Sequence, residues 1–159
     1  HRAALVQRAL GRSDGVMGVI VADGTQAPWR EETFDRILVD APCTGLGALR
    51  RRPESRWTRS EESLDELVPL QVALLDQALT TVRPGGVVLY ATCSPVLAET
   101  MGVVQEVLRK RTDAHLEDVE PLLKEVCNRA GPLQGTVQLW PHRHGTDAMF
   151  LALLRRTPQ

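Results

Sequence analysis

Two aspartates and two cysteines in this chain stand where side chains can do chemistry. Asp23, then Asp40 with Cys43, then Cys93 each follow closely on a short apolar run. Such runs read as buried strands, and in open α/β sheets ligands lie beyond the strands' carboxyl ends. A thiolate at such an end is a nucleophile able to form a covalent adduct, and a second thiol beside it can help break that adduct down. A carboxylate in the same pocket supplies a hydrogen-bond acceptor. An ordinary thiol, with a pKa of about 8.5, needs some depression to be mostly thiolate at neutral pH. Taken singly, each cysteine is more readily a small buried hydrophobe. Their recurrence at successive strand ends is the argument for one pocket.

The elements that must position these residues can be read along the chain. His1 to Leu10 has the pattern of a helix, with Leu5, Val6 and Leu10 on one side and Arg2 and Arg8 on the other; Gly11 stops it. Val16 to Ala22 reads as a buried parallel strand ending at Asp23-Gly24. Phe34 to Val39 reads as a second strand, closed by the loop Asp40-Ala41-Pro42-Cys43-Thr44-Gly45-Leu46-Gly47. Thr58-Arg59-Ser60-Glu61 matches a capping box. It opens a long amphipathic helix through Leu64, Leu67, Val68, Val72, Leu75 and Leu79, which Pro69 is expected to kink or split. Arg83-Pro84-Gly85-Gly86 reads as a turn, and Val87 to Ala91 as a third strand closed by Thr92-Cys93-Ser94-Pro95. A further helix is expected from Leu97 to Arg111, with Met101, Val104, Val107 and Leu108 inward. His115 to Val119, Val137 to Trp140 and Ala148 to Leu154 read as strands. Strands alternating with helices argue a doubly wound α/β sheet. One long crossover helix joins the strands ending at Asp40 and Cys93, so those two strands are expected to be neighbours.

The 159 residues suffice for one domain, expected over residues 1–159. A hydrophobic share of 43% and a charged share of 25% are those of an ordinary globular protein. No apolar run approaches the roughly 20 residues of a membrane span, and no signal-peptide pattern is present, so a cytoplasmic location is expected. Net charge is −1 with a pI near 6.5, and this balance gives no sign of a nucleic-acid partner. The local distribution does, because Arg50, Arg51, Arg52, Arg56 and Arg59 surround Trp57 with Glu54 as the one acid among them. Such a patch can track phosphates, or it can be a solvated loop balanced by Glu61, Glu62, Asp65 and Glu66. Trp57 can stack on a base or pack beneath the loop. Trp29, Trp140 and Cys127 are expected in the core. An odd cysteine count without Cys-x-x-Cys spacing argues against both a disulfide framework and a metal site. His142 and His144 read as surface or RNA-facing.

Asp40-Ala41-Pro42-Cys43-Thr44-Gly45-Leu46-Gly47 and Thr92-Cys93-Ser94-Pro95 resemble the two cysteine motifs of the Sun/RsmB (Fmu) family of RNA 5-methylcytosine methyltransferases. DNA cytosine methyltransferases use only the Pro-Cys motif. Arg52-Pro53, Gln71, Pro84-Gly85-Gly86 and the closing Trp140-Pro141-His142 to Gly145-Thr146-Asp147-Ala148-Met149-Phe150 agree with the family as well; Ala148-Met149 departs from its more usual Gly-Phe. The chemistry fits, since cytosine C5 is a poor nucleophile until a thiolate adds to C6. The resemblance implies a Rossmann-like class I methyltransferase fold with S-adenosylmethionine as cofactor and RNA, most simply 16S ribosomal RNA, as substrate. It implies Cys93 as nucleophile and Cys43 as the thiol assisting breakdown of the adduct. Asp40 would hydrogen-bond the methionine end of the cofactor or the target cytosine, and Asp23 would contact the adenine part of the cofactor, with Arg50, Arg51, Arg52, Arg56 and Trp57 toward RNA. Arg2 falls where the family has an arginine just after its cofactor-binding acid. The family's Gly-rich cofactor loop and ribose-binding acid are expected before residue 1, which makes this chain read as the C-terminal part of a longer enzyme. Two rival readings are a fragment that binds RNA without holding cofactor and a thiol–disulfide switch between Cys43 and Cys93.

Overall fold

The computed structural model describes residues 2–11, 14–58, 60–126 and 128–158. Arg59 and Cys127 lie outside the described residues, as does the side chain of Arg2. In chain order the elements are α1 (Arg2–Leu10), β1 (Phe34–Asp40), α2 (Ser55–Thr58), α3 (Glu62–Thr81), β2 (Val82–Thr92), α4 (Met101–Lys110), β3 (Ala114–Glu117), β4 (Val137–Leu139), α5 (Pro141–His144) and β5 (Met149–Arg156). The strands form one mixed sheet in the order β1-β2-β5-β3, with β4 also pairing β5. β1 and β2 are parallel neighbours, joined by α3 as expected, with Val39 opposite Tyr90 and Asp40 opposite Ala91. β5 runs antiparallel to β2, Thr92 opposite Phe150.

Alternation decides which side chains are covered. Val88, Tyr90, Ala152, Leu154 and Phe150 point to one face, where Leu75 and Leu79 of α3 and Val103, Val104 and Val107 of α4 close the core. Tyr90 and Phe150 meet edge-on with centroids 6.2 Å apart. On the other face Leu89, Leu151 and Leu153 are half-buried and Leu38 is 64% exposed. β1 forms one edge of the described sheet, so both loops that follow β1 and β2 emerge side by side at the carboxyl end.

Several expectations are corrected. Val16 to Ala22 forms no strand; it pairs with nothing among the described residues, and Met17, Ile20 and Val21 stand in solvent. Arg83-Pro84-Gly85-Gly86 is no separate turn but a bulge inside β2, where the partner of β1 jumps from Val82 at Phe34 to Val87 at Arg36 and Gly85 takes φ 78°. α3 is continuous through Pro69, which faces solvent so that the carbonyl it frees is open to water. Among the described residues no capping box forms: α3 starts at Glu62 without a side-chain cap, and Ser63 Oγ accepts weakly from the Ser60 N–H at 3.4 Å. The helix expected from Leu97 divides into a 3-10 turn, Leu97–Glu99, and α4. Trp29 is 40% exposed rather than core, its ring edge-on to Phe34 at 5.3 Å.

Candidate active site

Proline and glycine shape the loop after β1. The ladder continues one step past the strand, where Ala41 N–H donates to the Ala91 carbonyl at 3.0 Å. Gly45 at φ 72° then turns the chain into a 3-10 turn, Leu46–Ala48. Gly47 binds the loop to both neighbours: its N–H donates to the Cys93 carbonyl and its carbonyl accepts from Ala148 N–H, each at 2.9 Å. A Cβ here would stand 2.2 Å from the Ala148 oxygen and 2.6 Å from the Cys93 oxygen, so only glycine permits this approach.

The result is a pair of half-buried thiols with Cys43 Sγ and Cys93 Sγ 3.4 Å apart. This is hydrogen-bond contact, well beyond the roughly 2.05 Å of a disulfide. The first proton leaves the pair easily, because the remaining S–H donates to the thiolate. That hydrogen bond from Cys93 is the main reason the Cys43 thiol falls to about 6, with the Thr92 hydroxyl and Gly45 N–H helping and burial and the Glu99 charge opposing. The second proton is held: Cys93 is pushed far up by its bond to Cys43, by burial, by the Cys43 charge and by Asp40. The pair therefore gives up one proton far more readily than two.

Behind the sulfurs lies a carboxylate. Glu99 is fully buried. Its Oε1 accepts from Thr44 N–H at 2.8 Å and Gln71 Nε2 at 3.0 Å. Its Oε2 accepts from Thr44 Oγ1 at 2.6 Å and Ser94 Oγ at 2.5 Å. Gln71 Nε2 also donates to the Pro42 carbonyl at 2.7 Å, and Tyr90 Oη to the Glu99 backbone carbonyl at 2.7 Å.

The arginine loop follows the 3-10 turn, with the Arg51 and Arg52 N–H groups donating to the Ala48 carbonyl. Arg51 Nε donates to both oxygens of Asp147, at 2.9 and 3.1 Å, and Arg50 reaches the Gly145 carbonyl. These guanidinium groups hold the Asp147 carboxyl below its ordinary range. Arg52, Arg56 and Trp57 are exposed, Trp57 by 83%, which removes the reading of Trp57 as packed beneath the loop. Among the described residues Arg52 and Arg56 have no side-chain ion pair. Asp40 is exposed and likewise unpaired among the described residues, though Cys93 feels its charge. A groove of about 450 Å³ runs along the outer edge of β1, lined by Gly24, Trp29, Leu74 and Asp40 among others. Asp23 adjoins it in a tight turn, its Oδ1 accepting from Thr25 N–H at 2.9 Å and Thr25 Oγ1 at 2.7 Å, which lowers its carboxyl.

A family model described as 16S rRNA methyltransferase RsmB/F matches residues 1–155. The chain belongs to that family. It is 62% identical over 124 residues to a Mycobacterium tuberculosis protein described as a methyltransferase, covering 77% of this chain and 26% of the relative. It is 34% identical over 155 residues to ribosomal RNA small subunit methyltransferase B of Shewanella oneidensis, covering 96% and 35%. Among solved structures, that of NSun6 from Pyrococcus horikoshii with SFG superimposes with a TM-score of 0.80 at 28% identity, over 99% of this chain and 39% of that one. The fold is thus the Rossmann-like α/β methyltransferase fold, and the chain spans about a quarter to a third of the length of these curated relatives.

Of the residues marked by their motifs, Cys43 and Cys93 are brought into contact, with Asp40 at the same sheet end. Asp23 lies on a loop, not at the end of a strand. Trp140 is half-buried, and His144 Nδ1 accepts from Trp140 N–H at 2.8 Å beside an exposed His142. Among the described residues no cluster of His, Cys, Asp or Glu is placed to hold a metal ion, and no helix is long and apolar enough to cross a membrane. Sequence reasoning missed Glu99 and the anchoring by Asp147. A signal for Glu99 existed, since it falls four and eight residues ahead of Val103 and Val107 and so on the inner side of the helix expected from Leu97, although it closes the 3-10 turn before α4.

Proposed function

We propose that this chain carries the thiol pair of an enzyme that methylates C5 of a cytosine in RNA, with small-subunit ribosomal RNA as the substrate and the cytoplasm as its place of action. The observation carrying this reading is the 3.4 Å contact between Cys43 and Cys93 at the ends of adjacent parallel strands. The printed names of its relatives, ribosomal RNA small subunit methyltransferases B and F, support the substrate.

S-adenosylmethionine supplies the electrophilic methyl group; SFG, bound in the related NSun6 structure, is its analogue. The residues present fit that cofactor. Asp40 is an unpaired carboxylate at the groove's end, suited to a cationic ligand, and Asp23 adjoins the same groove.

The thiol pair divides the work. The Cys43 thiolate takes the proton of Cys93, and the Cys93 sulfur forms a bond to C6 of the cytosine, which makes C5 nucleophilic. After methylation the C5 proton is lost to water, the C6–S bond breaks, and Cys43 returns its proton to the departing Cys93 sulfur. Asp40 accepts a hydrogen bond at the base's Watson–Crick edge or holds the cofactor's methionine end. Splitting the transfer this way replaces one high barrier with two lower ones. Arg50, Arg51, Arg52 and Arg56 face RNA phosphates, and exposed Trp57 offers a stacking surface for an unpaired base.

RNA bearing 5-fluorocytosine at the target tests this reading, because fluorine at C5 blocks elimination. With S-adenosylmethionine, the intact protein should form an adduct that peptide mapping locates at Cys93. An adduct at Cys43, or none while normal RNA is methylated, would contradict the assignment. An adduct that forms equally without S-adenosylmethionine would favour the rival fragment that binds RNA but holds no cofactor.

A further inference from the structure

We infer that Glu99 is a positioning residue that sets the spacing of the two thiols, by holding the neighbour of each cysteine on one buried carboxylate. The inference rests on the proposed reaction for its purpose, though not for its geometry. Thr44 follows Cys43 and Ser94 follows Cys93, and both bind Glu99, Thr44 through its N–H and hydroxyl and Ser94 through its hydroxyl. Two loops 50 residues apart in sequence thus meet on a single side chain. Gln71 adds a third tie, spanning Glu99 Oε1 and the Pro42 carbonyl just before Cys43.

Burying a carboxylate costs several kcal/mol unless hydrogen bonds replace its water. Here four donors do so, and three of them come from the residues next to the thiols rather than from the scaffold. A carboxylate serving the fold alone would gain as much from donors on any element. The Glu99 backbone is itself fixed by Tyr90 Oη of β2, so the clamp cannot drift with the loops. Glu99 also acts in a second, separable way: its charge opposes ionisation of Cys43.

The two roles predict different variants. Glu99→Gln keeps the size of the clamp, and the Thr44 and Ser94 hydroxyls can rotate to accept from its amide. It loses the charge, so the midpoint for Cys43 alkylation should fall. Glu99→Ala cuts the clamp and releases both loops.

The readout is the equilibrium between the dithiol and the Cys43–Cys93 disulfide in buffers of oxidised and reduced dithiothreitol, measured on the intact protein by mass spectrometry of the two peptides. It reports how often the sulfurs meet and involves neither RNA nor methyl donor. Glu99→Ala should lower that equilibrium constant about ten-fold or more, while Glu99→Gln stays within about three-fold of the parent. In methyl transfer Glu99→Ala should lower kcat with KM for RNA little changed. A folded Glu99→Ala variant with the parental disulfide equilibrium and kcat overturns the inference. If that variant does not fold, Thr44→Val combined with Ser94→Ala decides, since an unchanged equilibrium there overturns it equally. If methylation survives Cys93→Ala, the proposed reaction fails while the thiol spacing and its dependence on Glu99 still stand or fall on the disulfide measurement.

Discussion

The thiol pair and the arginine loop belong to the same end of the sheet, yet they are built in opposite ways. Around the thiols the chain is pinned: Thr44, Ser94 and Gln71 are buried and share one carboxylate, and Gly47 is hydrogen-bonded on both sides. The arginine loop is exposed from Arg50 to Thr58 except for half-buried Ser55, and its side chains are tied down chiefly through Asp147. Bond-making groups gain from preorganisation to a fraction of an ångström. Groups that read a phosphate chain gain little from it, because their contribution is electrostatic and tolerant of position. The division is what the proposed reaction, on one base within a flexible polymer, requires.

Changes at the rigid side should have the largest effects. Gly47→Ala forces a Cβ to 2.2 Å from the Ala148 oxygen, so the bonds to Cys93 and Ala148 must give way. We expect about 1–3 kcal/mol of lost stability and a fall in methyl transfer of about a hundred-fold or more, measured by thermal melting and labelled methyl incorporation. Next in size is the pH profile of thiol alkylation. Cys43 should react with iodoacetamide with a midpoint near pH 6, slowing below it as the thiolate takes a proton. Cys93→Ala removes the donor that lowers Cys43 most, so the midpoint should move up toward the ordinary thiol range. An unmoved midpoint would mean that the two sulfurs do not share a proton.

On the soft side the effects should be smaller and of another kind. Arg52→Ala and Arg56→Ala should each weaken RNA binding about two- to five-fold and reduce the slope of log affinity against log salt by about 0.7. The rate at saturating RNA should hardly change. Asp147→Asn should be the mildest: a small fall in melting temperature, as befits a carboxylate paired with exposed arginines, with the alkylation profile of Cys43 intact. A loss of rate at saturating RNA in the arginine variants would erase the contrast between the two regions.

Much of the rigid region was legible in the sequence because strand and loop signals coincide there. Phe34 to Val39 followed by Asp40 to Gly47, and Val87 to Ala91 followed by Thr92 to Pro95, place both cysteines correctly, and one crossover helix makes their strands neighbours. What escaped depends on partners distant in sequence. Glu99 is an acid in an amphipathic stretch, and only the fold shows that Thr44 and Ser94 converge on it. The Val16 to Ala22 run has strand composition, but composition does not say whether a neighbouring strand is there to pair with it. Arg83 to Gly86 carries the residues of a turn, yet the ladder resumes beyond them and absorbs them as a bulge. Pro69 fails to break α3 because it lies on the solvent side.

The central claim is that the thiol pair works as nucleophile and partner. The most direct measurement incubates the intact protein, Cys93→Ala and Cys43→Ala with labelled S-adenosylmethionine and unmodified small-subunit ribosomal RNA, followed by a denaturing gel. The account predicts no methylation by Cys93→Ala and a protein–RNA adduct accumulating in Cys43→Ala, where the bond to C6 forms but breaks slowly. Full methylation by Cys93→Ala would contradict it.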